Sequence, residues 1–266
     1  MIAPLEGQAA RAAEPDEPSV QPDRPDVTNS SYTVPKHLAQ LETGGRLGRV
    51  PFSGESIGTP VSLRIGLMDR LEARLETEGA TRQQADGRSA WQFAGLAAGA
   101  KLRLWNAPDG LPALAVEPSV TLPIGRGADG GTDFSATFLI SEDLPGGAHI
   151  DLNYGIAAIA AGQSHFAQHL LSASTNVHVG SKWSPYVEVY WLSRLDPSGS
   201  RVVSLDAGAI YTLSERLAVD GGLLCGLAAS DARPAVFGGL SVILGEIAGR
   251  EGIHARLREA QRGGDR

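Results

Sequence analysis

The chain has 266 residues, a formal net charge of −7, an isoelectric point near 5.4 and a mean hydropathy of −0.08. That length suits one large β domain or two small ones, and the acidic balance argues against nucleic acid as a main partner. No run reaches the roughly 18 to 20 apolar residues of a spanning helix, but a membrane β-barrel escapes that test because its strands mix apolar with polar residues.

At the N-terminus, residues 1–26 are rich in Ala, Pro, Glu and Asp without usable periodicity and read as disordered. With the lead-in that follows, they form an expected disordered leader over 1–37. A secretory signal needs a basic start and an apolar stretch of about 7 to 15 residues, and the recorded start has neither. Ala10-Arg11-Ala12 before Ala13-Glu14-Pro15 still has the small-x-small form of a cleavage site. The expectation is that the recorded start lies inside the gene and that most of a signal peptide is missing.

From Leu38 to Leu244 a period-two alternation recurs, as in Val61-Ser62-Leu63-Arg64-Ile65-Gly66-Leu67. Successive strand side chains point to opposite faces, so each segment is a ribbon with one apolar and one polar side. About twelve strands are expected, starting near Leu38, Thr59, Leu71, Ala94, Leu114, Phe134, Ala148, Leu170, Tyr186, Arg201, Ala218 and Ala235. The 33 glycines and 16 prolines supply the turns. Cys225, the single cysteine, rules out an internal disulfide and a thiolate metal site; its apolar strand position favours packing over reactivity.

Connections after even-numbered strands are short, as in Met68-Asp69-Arg70 and Ser214-Glu215-Arg216. Those after odd strands are longer or more polar: Glu78 to Gln92, Gly125 to Asp133, Ala161 to His169 and Asp196 to Ser200. Outer-membrane barrels have this asymmetry, with short periplasmic turns and longer outside loops. Trp91, Phe93, Trp105, Phe134, Trp183 and Tyr211 fall at or near strand ends, where aromatic girdles form. The fold expected over 38–244 is therefore all-β, an antiparallel up-and-down transmembrane β-barrel. Residues 245–266 place Ile247, Ile253 and Leu257 among mixed charges and read as a mobile charged tail in preference to a short amphipathic helix.

If the apolar face points to lipid, the other face lines a lumen. The candidate lumen residues for transport are Arg64, Glu72, Arg74, Lys101, Arg103, Glu117, Asp151, Glu188, Asp206 and Asp220, joined by Glu42 and Glu76. So many charges would be costly in a dry core. Arg64, Arg74, Lys101 and Arg103 lie on the second to fourth strands among Glu72, Glu76 and Glu117. Cross-strand ion pairing that holds register is favoured. The functional reading is a basic strip opposite Asp151, Glu188, Asp206 and Asp220 that orients polar solutes.

Arg24-Pro25-Asp26-Val27-Thr28, Tyr32-Thr33-Val34-Pro35-Lys36 and Gln40-Leu41-Glu42-Thr43-Gly44 come first in an ordered set of segments. Gly99-Ala100-Lys101, Val120-Thr121-Leu122-Pro123-Ile124-Gly125, Thr132-Asp133-Phe134, Leu205-Asp206-Ala207-Gly208 and Leu217-Ala218-Val219-Asp220-Gly221 continue it. In that order they resemble the outer-membrane family named for a meta-pathway of phenol degradation. The resemblance spans about Arg24 to Leu244. It implies an outer-membrane barrel that moves small, hydrophobic or aromatic molecules, and it carries no catalytic residues. Such barrels usually end in an aromatic residue read by the assembly machinery; here the last strand ends Val242-Ile243-Leu244.

Two other classes were weighed. A hydrolase would need Ser174, Asn176 and His178 as a catalytic set, but strand spacing leaves such neighbours about 6 to 7 Å apart. His165, His169 and His178 are the only close histidines, and solvated roles outweigh metal binding. The third class is a structural barrel with a plugged lumen. The expected partners are membrane lipid, a small-molecule solute and the outer-membrane assembly machinery. No enzyme activity, cofactor or metal is expected.

Overall fold

The computed structural model describes residues 19–23, 27–50, 54–85, 88–93, 95–105, 111–125, 131–228 and 234–246. The expected cleavage-like segment, Arg24 to Asp26 and the tail from 247 onward lie outside the described residues. Among the described residues there are fifteen strands: β1 (Leu38–Val50), β2 (Gly54–Gly58), β3 (Val61–Met68), β4 (Leu71–Thr77), β5 (Ala80–Ala85), β6 (Arg88–Phe93), β7 (Leu96–Trp105) and β8 (Ala113–Leu122). They continue as β9 (Asp133–Leu144), β10 (Ala148–Ala161), β11 (Ser164–Val177), β12 (Trp183–Leu192), β13 (Val202–Ser214), β14 (Leu217–Gly226) and β15 (Ala235–Glu246).

All ladders are antiparallel, and twelve strands close on themselves in the order β1, β3, β4, then β7 to β15. The seam is β15 on β1, paired from Leu38↔Glu246 to Gly48↔Ala235. Closure leaves no open edge in the barrel wall, as a backbone in hydrocarbon requires. The remaining strands form an outgrowth at one rim, where β2 pairs the far half of β1, β5 pairs β2, and β6 pairs β5.

Two expected loops are corrected here. Glu78 to Gln92 contains the β5–β6 hairpin, and Ala161 to His169 is mostly strand, with Ala161↔Ser164 closing a tight turn. Polar composition suggested loops at both places; cross-strand pairing supplied the order that composition did not reveal. The rim carrying the outgrowth is the long-loop rim. The opposite, short-turn rim holds the hairpins at Asp69-Arg70, Pro145 to Gly147 and Glu215-Arg216.

Outward residues are apolar and exposed, among them Leu102, Phe138, Leu152, Leu171, Val187, Leu205, Leu223 and Leu240. Inward residues on the same strands are polar and buried, including Glu42, Arg64, Glu72, Lys101, Asn153, Glu188 and Ser204. This inverts the soluble pattern and is the arrangement of a barrel in lipid. Cys225 is exposed on the outward face, so it meets lipid instead of packing in a core. Trp183 and Tyr211 pack at a tilt of 53° at the short-turn rim with ring centroids 4.7 Å apart, and Phe134 is exposed at the other rim.

The described part of the expected leader is ordered. Residues 19–23 and 27–37 run inside the barrel, where Val20, Asp23, Thr28, Ser31, Thr33 and Val34 are buried. Small polar residues without periodicity resemble a disordered segment, but here the inward faces of the strands supply the partners that the segment lacks on its own.

Candidate functional site

The segment enters and leaves at the short-turn rim. Val20 N donates to the Glu215 carbonyl in the β13–β14 turn, and His37 N donates to the Gly66 carbonyl of β3. Val20 and Val34 share a small apolar cluster with Leu38, Ala218 and Ile243 at this rim. Between these ends the chain rises into the lumen. Gly66 lets the returning backbone lie against the wall, since a Cβ there would sit 2.1 Å from the Pro35 carbonyl and 2.5 Å from that of Val34. His37 holds a φ of 69°, a left-handed bend that turns the segment into β1.

Each stretch of the segment meets a polar wall residue. Val34 N donates to Glu72 Oε2 at 2.6 Å, and Ser31 N to Ser141 Oγ at 2.7 Å. Val27 N donates to Glu188 Oε2 at 3.0 Å, and the Thr28 amide and hydroxyl both donate to Glu188 Oε1. Asp23 N reaches Glu42 Oε2 at 3.2 Å. Buried backbone donors need such acceptors, and wall carboxylates supply them.

The centre of the site is Asp23. Its Oδ2 lies 2.6 Å from Arg74 Nη1, 2.6 Å from Lys101 Nζ and 3.3 Å from Arg64 Nη2. The cations are also held by the wall. Arg64 Nε meets Glu72 Oε1 at 2.9 Å and its Nη1 meets Glu42 Oε1 at 2.9 Å. Arg74 Nη2 meets Glu76 Oε1 at 2.6 Å, and its Nη1 meets Glu117 Oε2 at 3.2 Å. Burial by itself would raise the Asp23 carboxyl, but Arg64, Lys101 and Arg74 outweigh it and hold the group well below its ordinary value.

Of the ten candidate lumen residues, the structure brings five into this cluster: Arg64, Glu72, Arg74, Lys101 and Glu117. Arg103 is half-buried, donates to Thr33 Oγ1 at 3.2 Å and lies 5.1 Å from the Tyr32 ring centroid. Asp151 accepts from Ser141 Oγ and sits 3.1 Å from His149 Nε2. Glu188 caps the segment at Thr28, Asp206 is buried on β13, and Asp220 is half-buried on β14 opposite Gly239. Asp23 was missed by sequence reasoning because it lies in a stretch read as disordered. The one signal for it was the ordered set of segments that began at Arg24.

Above the segment is a cavity of about 460 Å³. Asp23, Val27 and Asn29 lie beneath it, Arg74, Glu76 and Asp206 bear on it, and Leu224 and Phe237 give it an apolar side. Arg46, Pro60, Glu78 and Gly95 bound it toward the long-loop rim. The hydrolase candidates do not assemble there. Ser174 is buried, whereas His178 is exposed beyond the end of β11 and bonds Ser184 Oγ at 2.9 Å. His165 bonds the Thr132 carbonyl and His169 bonds the Tyr154 hydroxyl.

A closed twelve-strand barrel with a lipid-compatible exterior and a charged interior defines an outer-membrane β-barrel. The chain belongs to the family described as "Putative MetA-pathway of phenol degradation", whose model matches residues 22–242. No curated protein matches it in sequence. In fold it is similar to an outer membrane channel from Pseudomonas putida F1, with a TM-score of 0.61 and 11% identity over 85% of this chain and 100% of that one. It is also similar to the KdgM porin, with a TM-score of 0.54 and 8% identity over 76% of this chain and 98% of that one.

Proposed function

We propose that the protein is an outer-membrane channel for small molecules, hydrophobic or aromatic ones among them, with its short-turn rim in the periplasm. The observation that carries this reading is the charged lumen, with a solute-sized cavity of about 460 Å³ above an internal segment. The barrel supplies the path across the lipid, and the ten lumen candidates supply the polar wall that a solute would meet. Residues 19–23 and 27–37 form the closure in this state. Insertion through the outer-membrane assembly machinery belongs to the same reading.

One observation favours a second reading, a barrel that does not transport: the lumen near the short-turn rim is filled by ordered chain. Liposome swelling separates the two. Vesicles carrying the purified protein should swell in small solutes faster than protein-free vesicles. Equal rates over a panel of aromatic, aliphatic and sugar solutes would favour the structural barrel.

A further inference from the structure

The three cations around Asp23 differ in what holds them. Without Asp23, Arg64 keeps two wall carboxylates and Arg74 keeps three, all at 3.2 Å or less. Lys101 does not. Three of its contacts come from the internal segment: Asp23 Oδ2 at 2.6 Å, the Ser30 carbonyl at 2.9 Å and the Tyr32 carbonyl at 3.4 Å. Its wall contacts are looser: Glu117 at 3.7 Å, and Glu72 directly opposite it in the β4–β7 register. Lys101 is fully buried, so withdrawal of the segment would leave an ammonium group short of acceptors inside the lumen.

The same carboxylate oxygen accepts from Lys101 Nζ and Arg74 Nη1, both at 2.6 Å. Two charged donors converging on one oxygen make a carboxylate site, and Asp23 fills it. This carboxylate also lies beneath the cavity that leads toward the long-loop rim. An acid entering by that route meets Asp23 and Arg74 together with Val27 and Asn29, and Lys101 lies buried behind Asp23. Apolar Leu224 and Phe237 on the cavity wall can take the carbon part of such a molecule.

We infer that Lys101 and Arg74 form a binding site for the carboxylate of a small organic acid, and that Asp23 occupies it as a tethered stand-in. Exchange of Asp23 for the solute's carboxylate keeps both cations paired and frees the segment. Binding of the acid and opening of the lumen are then one event. The rim contacts at Val20 and Val34 lie away from this exchange and act as the hinges on which the tip withdraws. This inference rests on the channel reading for its biological use, but the site itself is testable without conduction.

The test uses the full chain with Cys225→Ser and Ser31→Cys, labelled by a membrane-impermeant maleimide. Ser31 is fully buried in the closed state, so labelling reports release of the segment. Butyrate should raise the labelling rate by about tenfold, in the ordinary range of coupled binding, while its neutral isostere butyramide should not. Lys101→Met should abolish the butyrate response. Asp23→Asn, which lies outside the wall, should raise the basal rate without any acid. Equal effects of butyrate and butyramide, a butyrate response that survives Lys101→Met, or an unchanged basal rate in Asp23→Asn would each overturn the site. Labelling that responds as expected in a protein that never passes solute would leave the site standing and remove the channel reading.

Discussion

At the scale of single residues, charge neutralisation in the lumen is local and shared. Arg64 is 1% exposed and faces Glu42 and Glu72, both fully buried. Arg64→Ala would remove the cation these two carboxylates share, and breaking a buried pair from one side costs about 3–5 kcal/mol. Urea unfolding in lipid vesicles should show a loss of that size, whereas Arg46→Ala, whose partner Glu78 is exposed at 3.7 Å, should change stability by less than about 1 kcal/mol. Asp23 makes a pH statement. Its carboxyl is held below the ordinary value of 3.8, so its contribution to closure is fully present above that pH and is lost as pH falls through the depressed value. Maleimide labelling of Ser31→Cys, expressed relative to a freely exposed cysteine at the same pH so that the thiolate fraction cancels, should therefore stay slow from neutral pH down to about 4 and quicken only in stronger acid. Quickening near neutrality would contradict that assignment.

At the scale of elements, the strands of the barrel were legible and the lumen segment was not. Alternation marks Val61–Met68 or Leu217–Gly226 because one face meets lipid and the other meets the polar lumen, and the turns at Asp69-Arg70 and Glu215-Arg216 punctuate it. β11 begins at Ser164, earlier than the expected Leu170, because its first turn of sequence is polar enough to resemble a loop. Residues 27–33 carry no period, since their partners change along the wall: Glu188 for Val27 and Thr28, Glu117 for Asn29, Ser141 for Ser31. That order depends on the whole barrel and has no local signature. Of the candidate site, the wall residues could be listed from strand phase, but the group that joins them, Asp23, could not. The outgrowth of β2, β5 and β6 lies outside the closed ring, with β5 joined to β2 through Ser56↔Gln83 and Ile57↔Arg82. Replacing residues 80–93 by a short Gly-Ser linker should leave the barrel assembled, seen as unchanged heat-modifiable migration on electrophoresis. A chain that no longer folds would place this hairpin in the barrel's stability.

At the scale of the molecule, the barrel has an apolar exterior for lipid and a polar interior for its own N-terminal segment and for solute. Leu171, half-exposed in mid-strand on β11, tests the outer face: Leu171→Arg should cost about 2–4 kcal/mol in vesicle refolding, the penalty of a cation near the bilayer midplane. A neutral effect would place that face in water. The interior is the more consequential half of the account, because closure there comes from a segment tied to the wall by Asp23 and Glu188 and stitched at the rim by Val20 and Val34. Such a closure is part of the chain and can move. Single-channel recording in planar bilayers tests this most directly, comparing the natural chain with Asp23→Asn. The natural chain should show long closed periods with rare openings, and Asp23→Asn should show openings of the same amplitude but much longer total duration. Steady conductance of equal size and duration in both would contradict it, because the segment would then not be what closes the lumen.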